Sequence, residues 1–529
     1  MKQFIIIVFS VLITVSLFAQ NQDWEVYIGS PGHNEYASDI IETYDRGYYL
    51  GAWTGGTNGQ GWNIKTAING NVLYDKILSH NYCQMDSWAV VEDSAGNKYC
   101  CGPVWTETGA WPFVIKFDPC GEKVWCKHFP VEVGEHDGGA WDIIINSRDE
   151  IIVLTSYFSD EFETTIIYLI GLNENGKELW KKPYASKHDH PLIWIPMGYD
   201  LMEFNNEYYI AGDCYWPYPN NPNHVFLRPL FIGIDSDFNE KWILPYYALD
   251  SVFGEARALL PVNDSVIVGF GPRFLEGSNM NTLLMFFNDK GEELAYFQIP
   301  NEAIDSNIVY NAVREVEQIN ENLYISPVYL GIEGEQHFGE LVYDLRGILQ
   351  NSMIRDIYEY NSAFTKTSRN DFVIAASVKQ GNDWDIYLYK IDENLEMVPF
   401  DTTQHVYDSL CPRPIQSGIM DLTDCLLVTD IGELPTPDVY YESLRWIPVK
   451  AFPNPVKDGK VTLEFENTDH HYNMELQIYN NTGHSIHSQK IYKGQQDTDV
   501  NVSAWPRGVY IAVIYSNGGA VGKVKFVVG

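Results

Sequence analysis

The chain has 529 residues, 45% of them hydrophobic and 14% aromatic, with a formal net charge of −36 and a pI near 4.6. It is longer than one ordinary domain and rich enough in apolar residues to bury a large core. Its charge would be repelled by nucleic-acid phosphates and by anionic lipid, so no nucleic-acid partner is expected. The acidity reads as a solvated surface, because no Asp-x-Asp-x-Asp-Gly calcium loop occurs.

Met1-Lys2-Gln3 precedes an apolar run from Phe4 to Phe18. The run is short for a membrane span and the charge lies ahead of it, so residues 1–19 read as a signal peptide cleaved after Ala19. No later apolar stretch is long enough to cross a bilayer, and the mature chain is expected to carry no transmembrane segment. An exported chain with eight cysteines can form disulfides. Cys411 and Cys425 stand alone late in the chain and are the pair simplest to propose. The pairing of the six between 83 and 214 stays open. No Cys-x-x-Cys occurs, so zinc is not expected, and no cofactor is assigned.

A strand, Trp24-Glu25-Val26-Tyr27-Ile28-Gly29, comes first and resembles the last strand of each repeat that follows. The repeating unit is clearest at Ile115-Lys116-Phe117-Asp118-Pro119-Cys120-Gly121-Glu122-Lys123-Val124-Trp125. Asn or Asp folds its side chain onto the backbone in such a turn, and Gly accepts positive φ there. The same shape recurs near Asn69, Asn173, Asp235, Asn288, Asp344 and Asp392. A period of about 50 residues suits a four-stranded propeller blade. First strands open at Ile40-Ile41, Ala89-Val90-Val91, Asp142-Ile143-Ile144, Asp200-Leu201-Met202, Leu259, Val316 and Phe364. Seven sets imply seven blades, spanning 20–400. A further last-strand candidate near Met397 would alter the count by one. A lone last strand at the start implies that the N-terminus completes the final blade and closes the ring.

The turns within hairpins on one face are short, whereas second-to-third loops on the other are long, as at 54–61, 106–110, 158–164, 216–226 and 271–280. Long loops on a rigid scaffold are where binding usually resides. Trp53, Trp105 and Trp216 end second strands on that face and could stack on sugar or peptide groups, or else fill gaps between blades. Trp88, Trp141 and Trp194 open first strands near the ring axis and read first as packing. Tyr218 lies in the segment Trp216-Pro217-Tyr218-Pro219-Asn220-Asn221-Pro222-Asn223, where three prolines limit the entropy lost on docking. Trp53, Trp105, Trp216 and Tyr218 are the ligand-binding candidates.

From 401 to 448 the repeat fades into a disulfide-tied annex and a linker. Residues 449–529 read as a small immunoglobulin-like sandwich, with short strands and the hairpin turn Asn480-Asn481-Thr482-Gly483. Phe452-Pro453-Asn454-Pro455, Leu476-Gln477-Ile478-Tyr479, Gly483, Gly508-Val509-Tyr510-Ile511 and Lys523-Val524-Lys525-Phe526 stand in characteristic order. In these features the module resembles the type A C-terminal sorting domain of the type IX secretion system of Bacteroidota. It departs from that pattern at Asn480, Trp505 and the weakly basic end. The resemblance implies passage through the periplasm, engagement of the type IX machinery by this domain, and release or attachment at the outer-membrane surface.

There is no Gly-x-Ser-x-Gly elbow, Walker loop, His-Glu-x-x-His or dinucleotide fingerprint. His188-Asp189-His190 and His470-His471 read as polar links rather than metal ligands. The expectation is an all-β chain of about seven propeller blades followed by the sandwich. It is a non-catalytic surface or secreted module binding glycan or protein. The alternatives are a hydrolase or lyase acting on polysaccharide, or a structural surface-layer component.

Overall fold

The computed structural model describes residues 23–425 and 448–529, apart from 31, 56–58, 80–83, 107–108, 130–134, 160–162, 186–189, 191, 219–220, 247–252, 276–278, 333–334, 356–358, 402–409, 412–414, 423–424, 466–473, 481–484, 493–494 and 517–518. The expected signal peptide, His188-Asp189, His470-His471 and Gly483 lie outside the described residues. The chain divides into two compact units, Met1–Ile431 and Gly432–Gly529.

The described strands of the first unit form seven antiparallel blades of a propeller, blades 5 and 6 being joined by one parallel pairing of Met280 with Tyr310. Blade 1 runs through Glu35–Glu42, Tyr48–Thr54, Gln60–Thr66 and Val72–Ser79. Blades 2 to 6 repeat that order as far as Leu349–Arg355. In blade 7, Glu359–Lys366, Phe372–Gln380 and Asp383–Ile391 are completed by Glu25–Ile28 from the start of the chain. Met397 makes only an isolated bridge to Ile391, so the N-terminal strand takes the last place. Closing the ring this way covers the outer side of Asp383–Ile391, which would otherwise be an open strand edge.

The turns explain the repeat. Asn173, Asp235, Asn288, Asp344 and Asp392 each accept, through Oδ1, the amides of the residues two and four positions later. The side chain thereby satisfies amides that the turn would leave open. The fourth position of the turn is left-handed: Gly176 has φ of 72°.

Those turns also join blades. Trp125 of blade 2 donates Nε1–H to the Glu174 carbonyl in the blade 3 turn at 3.0 Å. Trp242 of blade 4 does the same to Asp289 of blade 5 at 3.0 Å. Trp24 repeats it across the ring closure, onto Ile68 of blade 1 at 2.8 Å. Each indole lies on the turn beneath it, so a Cβ at Gly176 would stand 2.8 Å from the Trp125 ring. In blade 4 the turn carries Phe238 instead, its ring tilted against Trp180 at 3.9 Å.

Two expectations need correction. Cys411 and Cys425 do not pair with each other: Cys120 bonds Cys411 and Cys126 bonds Cys425. The strap that holds the two late cysteines runs outside blades 1 and 2, and its strand Gly418–Asp421 adds in parallel to Val72–Ser79. Met420, Leu422 and Cys425 are thereby buried against Tyr74 and Phe117, which brings each late cysteine to blade 2. Cys100, Cys101 and Cys214 are buried thiols. The segment from Trp216 is also not a long loop. Glu207–Tyr218 and Asn221–Ile234 continue as paired strands, with Trp216 opposite Phe226 and Pro217 opposite Val225.

The second unit packs two sheets around Val461, Leu463, Leu476, Ile478, Val500, Ile514 and Phe526. Burial alternates along Lys460–Phe465, as a strand with one face on a core requires. Asn454 fastens the closing strand, donating to the Lys525 carbonyl at 2.9 Å and accepting the Val527 amide at 3.0 Å. Pro453 and Pro455 flank it, both after cis peptide bonds. Tyr510 donates to the Pro506 carbonyl at 2.6 Å and stacks on Phe526. Gly508 opens that strand, and Lys523 is exposed on the last one.

Candidate functional site

The first strand of each blade faces the ring axis. In blades 1, 3 and 4 it carries a bulge, with register slips between Ala37 and Asp39, Ala140 and Asp142, and Gly198 and Asp200. The extra residues are Ser38, Trp141 and Tyr199. A bulge bends the strand and re-aims its side chains. The result is an axial cavity of about 450 Å³.

Successive residues of these strands line the cavity in two tiers. Nearer the long-loop face stand Ser38, Trp88, Trp141, Tyr199, Arg257 and Arg314. The next tier holds Asp39, Asp142, Asp200 and Glu315, with Ala89 and Ala258 between. The upper tier is a graded arc. Trp88 and Trp141 lie 4.6 Å apart, and Trp141 meets Tyr199 edge-on at 5.5 Å. The Arg257 guanidinium then sits 3.6 Å from the Tyr199 ring centroid. Polar anchors fix these groups: Trp141 Nε1 donates to Ser156 Oγ at 2.7 Å, and Tyr199 donates to Asp213 Oδ2 at 2.7 Å. Arg257 Nε donates to Glu255 at 2.6 Å.

The lower tier joins blades. Asp39 accepts the amides of Ile40 and, from blade 2, Val90, both at 2.7 Å. Asp142 accepts Ile143 at 2.7 Å and Leu201 of blade 4 at 2.8 Å. Asp200 accepts Leu259 of blade 5 at 2.6 Å. Glu315 likewise receives the Phe364 amide of blade 7.

Enclosure raises the pKa of all four. Burial pushes Asp39 up to about 7, with the charge of Asp142 adding. Burial likewise raises Asp142, and Asp200 is raised by burial and then by Asp142. Glu315 stands well above its ordinary value through burial and then the charge of Asp39. Asp213, beneath Tyr199, is pushed by burial to about 7.

The four ligand-binding candidates lie elsewhere. Trp53 leans on Tyr36 at 5.2 Å in blade 1, with its indole over Gly59. Trp105 of blade 2 is 43% exposed and donates to Asp86 at 3.0 Å. Trp216 of blade 4 packs beside the buried Arg228 guanidinium, 5.7 Å away. The side chain of Tyr218 lies outside the described residues. Trp194 is 43% exposed. His190 pairs with Glu240 at 2.8 Å. Among the described residues, no three His, Cys, Asp or Glu side chains gather at metal-binding separation. The structure brings together Trp88 and Trp141 of the axial set. The lower-tier acids had a signal in the sequence, an acid before two apolar residues at Asp39, Asp142 and Asp200.

Residues 450–529 match the family model described as the secretion system C-terminal sorting domain. No curated protein matches the chain. Among solved structures it is similar to a protein of unknown function from Dyadobacter fermentans, at 11% identity over 60% of this chain and 98% of that one, with a TM-score of 0.39. It is also similar to the polysaccharide lyase Uly1, at 9% identity over 72% and 94%, with a TM-score of 0.41. A third is prolyl oligopeptidase B from Galerina marginata, at 8% identity over 92% and 56%, with a TM-score of 0.43. At such scores none of them bears on function. Among the described residues no helix is long and apolar enough to cross a membrane.

Proposed function

Because the chain ends in a sorting domain and is therefore a type IX secretion cargo delivered outside the cell or to its surface, we propose that its propeller binds glycan there, in the axial cavity. The observation that carries this reading is the arc of Trp88, Trp141 and Tyr199 on one wall. Aromatic faces suit the apolar faces of sugar rings, and the polar groups beside them in the upper tier suit their hydroxyls. A volume of about 450 Å³ lies within the usual range for small-ligand pockets. It fits one or two sugar units better than a protein surface.

Calorimetric titration of the full chain with a panel of oligosaccharides tests the reading. Trp141→Ala should weaken any ligand by at least about tenfold. Equal affinity in that variant would move the site off the arc.

A second reading, cleavage of polysaccharide, has one observation in its favour. Four carboxylates of raised pKa share the cavity, as acid–base chemistry would need. Against it, both oxygens of Asp39 and Asp142 are turned to backbone amides. The same acid-to-amide link also occurs in blades 4 and 6, which is the mark of a structural repeat. Appearance of shortened products in the titrated mixture would favour cleavage over binding.

A further inference from the structure

We infer that the saccharide taken by this cavity bears a carboxylate, recognised by Arg314 with Arg257; this rests on the glycan reading above. The aromatic arc covers blades 2 to 4 and gives way, on blades 5 and 6, to two guanidinium groups on the same wall. Arg257 is preorganised. Its Nε and Nη2 are held by Glu255 at 2.6 and 2.5 Å, and its plane lies over Tyr199. Arg314 differs: it is exposed, and its guanidinium rests 5.0 Å from the Tyr329 ring centroid. Among the described residues its nitrogens make no hydrogen bond or ion pair. A planar fork of donors on a cavity wall matches a carboxylate, which can accept two parallel N–H bonds. Neutral sugar hydroxyls would leave most of that capacity unused.

The acidic lower tier does not remove this preference. Asp39 and Asp142 direct their oxygens to backbone amides rather than to the open cavity. The net charge of −36 is spread over the whole chain. Charges beyond a screening length of about 8 Å at physiological ionic strength act weakly on a ligand in the cavity. An isolated uronate is thus governed by the groups that touch it, whereas a long polyanion would meet the surface field.

The test titrates the full chain with trisaccharides of galacturonic, glucuronic and mannuronic acid, each beside its methyl ester. The ester keeps the ring and removes the charge. At least one acid should bind about tenfold or more tightly than its ester. Arg314→Gln should abolish that gap, lowering the affinity for the acid to that for its ester. Arg314→Lys, which keeps the charge but loses the fork, should recover only part of it and serves as the second variant should Gln prevent folding. Equal binding of acid and ester would overturn the inference and leave the glycan reading intact. An acid preference that survives both substitutions would overturn the role of Arg314. No binding by any acid or ester overturns the inference, and it overturns the glycan reading as well if neutral oligosaccharides also fail.

Discussion

At the scale of single residues, two positions decide between competing effects. Gly176 is left-handed and lies under Trp125, so Gly176→Ala meets both backbone strain and the indole. It should cost about 1–2 kcal/mol from strain alone, read as a lowered denaturation midpoint. Phe238 occupies the same place in blade 4, at φ of 61°, but its ring is buried against Trp180 and Tyr208. Replacing it by Gly relieves strain of about 1–2 kcal/mol and loses packing of about 3–5 kcal/mol. The packing term wins, so Phe238→Gly should destabilise although it restores the commoner turn residue. Asp39 is a matter of sign. Its folded pKa, near 7, lies above the unfolded value of about 3.9. The stability it contributes is therefore full below about pH 4 and is lost as pH rises through 7. Asp39→Asn stays neutral but gives up an amide acceptor, costing about 1 kcal/mol. The native protein should melt above the variant at pH 5, and the gap should narrow by pH 8.

At the scale of elements, the joints between blades are one device used repeatedly. A fourth-strand tryptophan lies on the next turn, and an inner-strand acid takes the next blade's amide. Trp125→Phe keeps an aromatic ring but loses the bond to Glu174 and part of the indole's contact with the turn, so a loss of at least about 1 kcal/mol is expected in denaturant titration. The turns and the tryptophans were legible in the sequence because they are local: a few adjacent residues determine them. The ring closure was legible because Trp24-Glu25-Val26 resembles the other last strands. The site was less so. Which aromatic residues meet depends on bulges at Trp141 and Tyr199, and a bulge is set by pairing with another strand. Trp53, Trp105 and Trp216 share a sequence position, yet each settles against partners in its own blade. The disulfides were illegible for a similar reason, since Cys120 and Cys411 are 291 residues apart.

At the scale of the whole molecule, the strap and the tail have separate duties. Of the two disulfides, whichever closes first ties off a loop of nearly 300 residues. In the chain-entropy account the first should stabilise by about 6 kcal/mol, and the second, closing roughly twenty residues more, by about 3 kcal/mol. Cys411→Ser alone should thus cost less than the double change Cys411→Ser and Cys425→Ser, as thermal melting would register. Removal of residues 449–529 should keep the protein from the cell exterior, and fractionation of the envelope would detect it there. The pairing of Glu25–Ile28 with Asp383–Ile391 has one more consequence. The ribosome makes the first of these segments long before the second. Until residue 391 exists, the opening strand has no proper neighbour and the barrel of blades stays an open crescent. A polypeptide ended before residue 383 lacks the partner of the opening strand and cannot complete the circle.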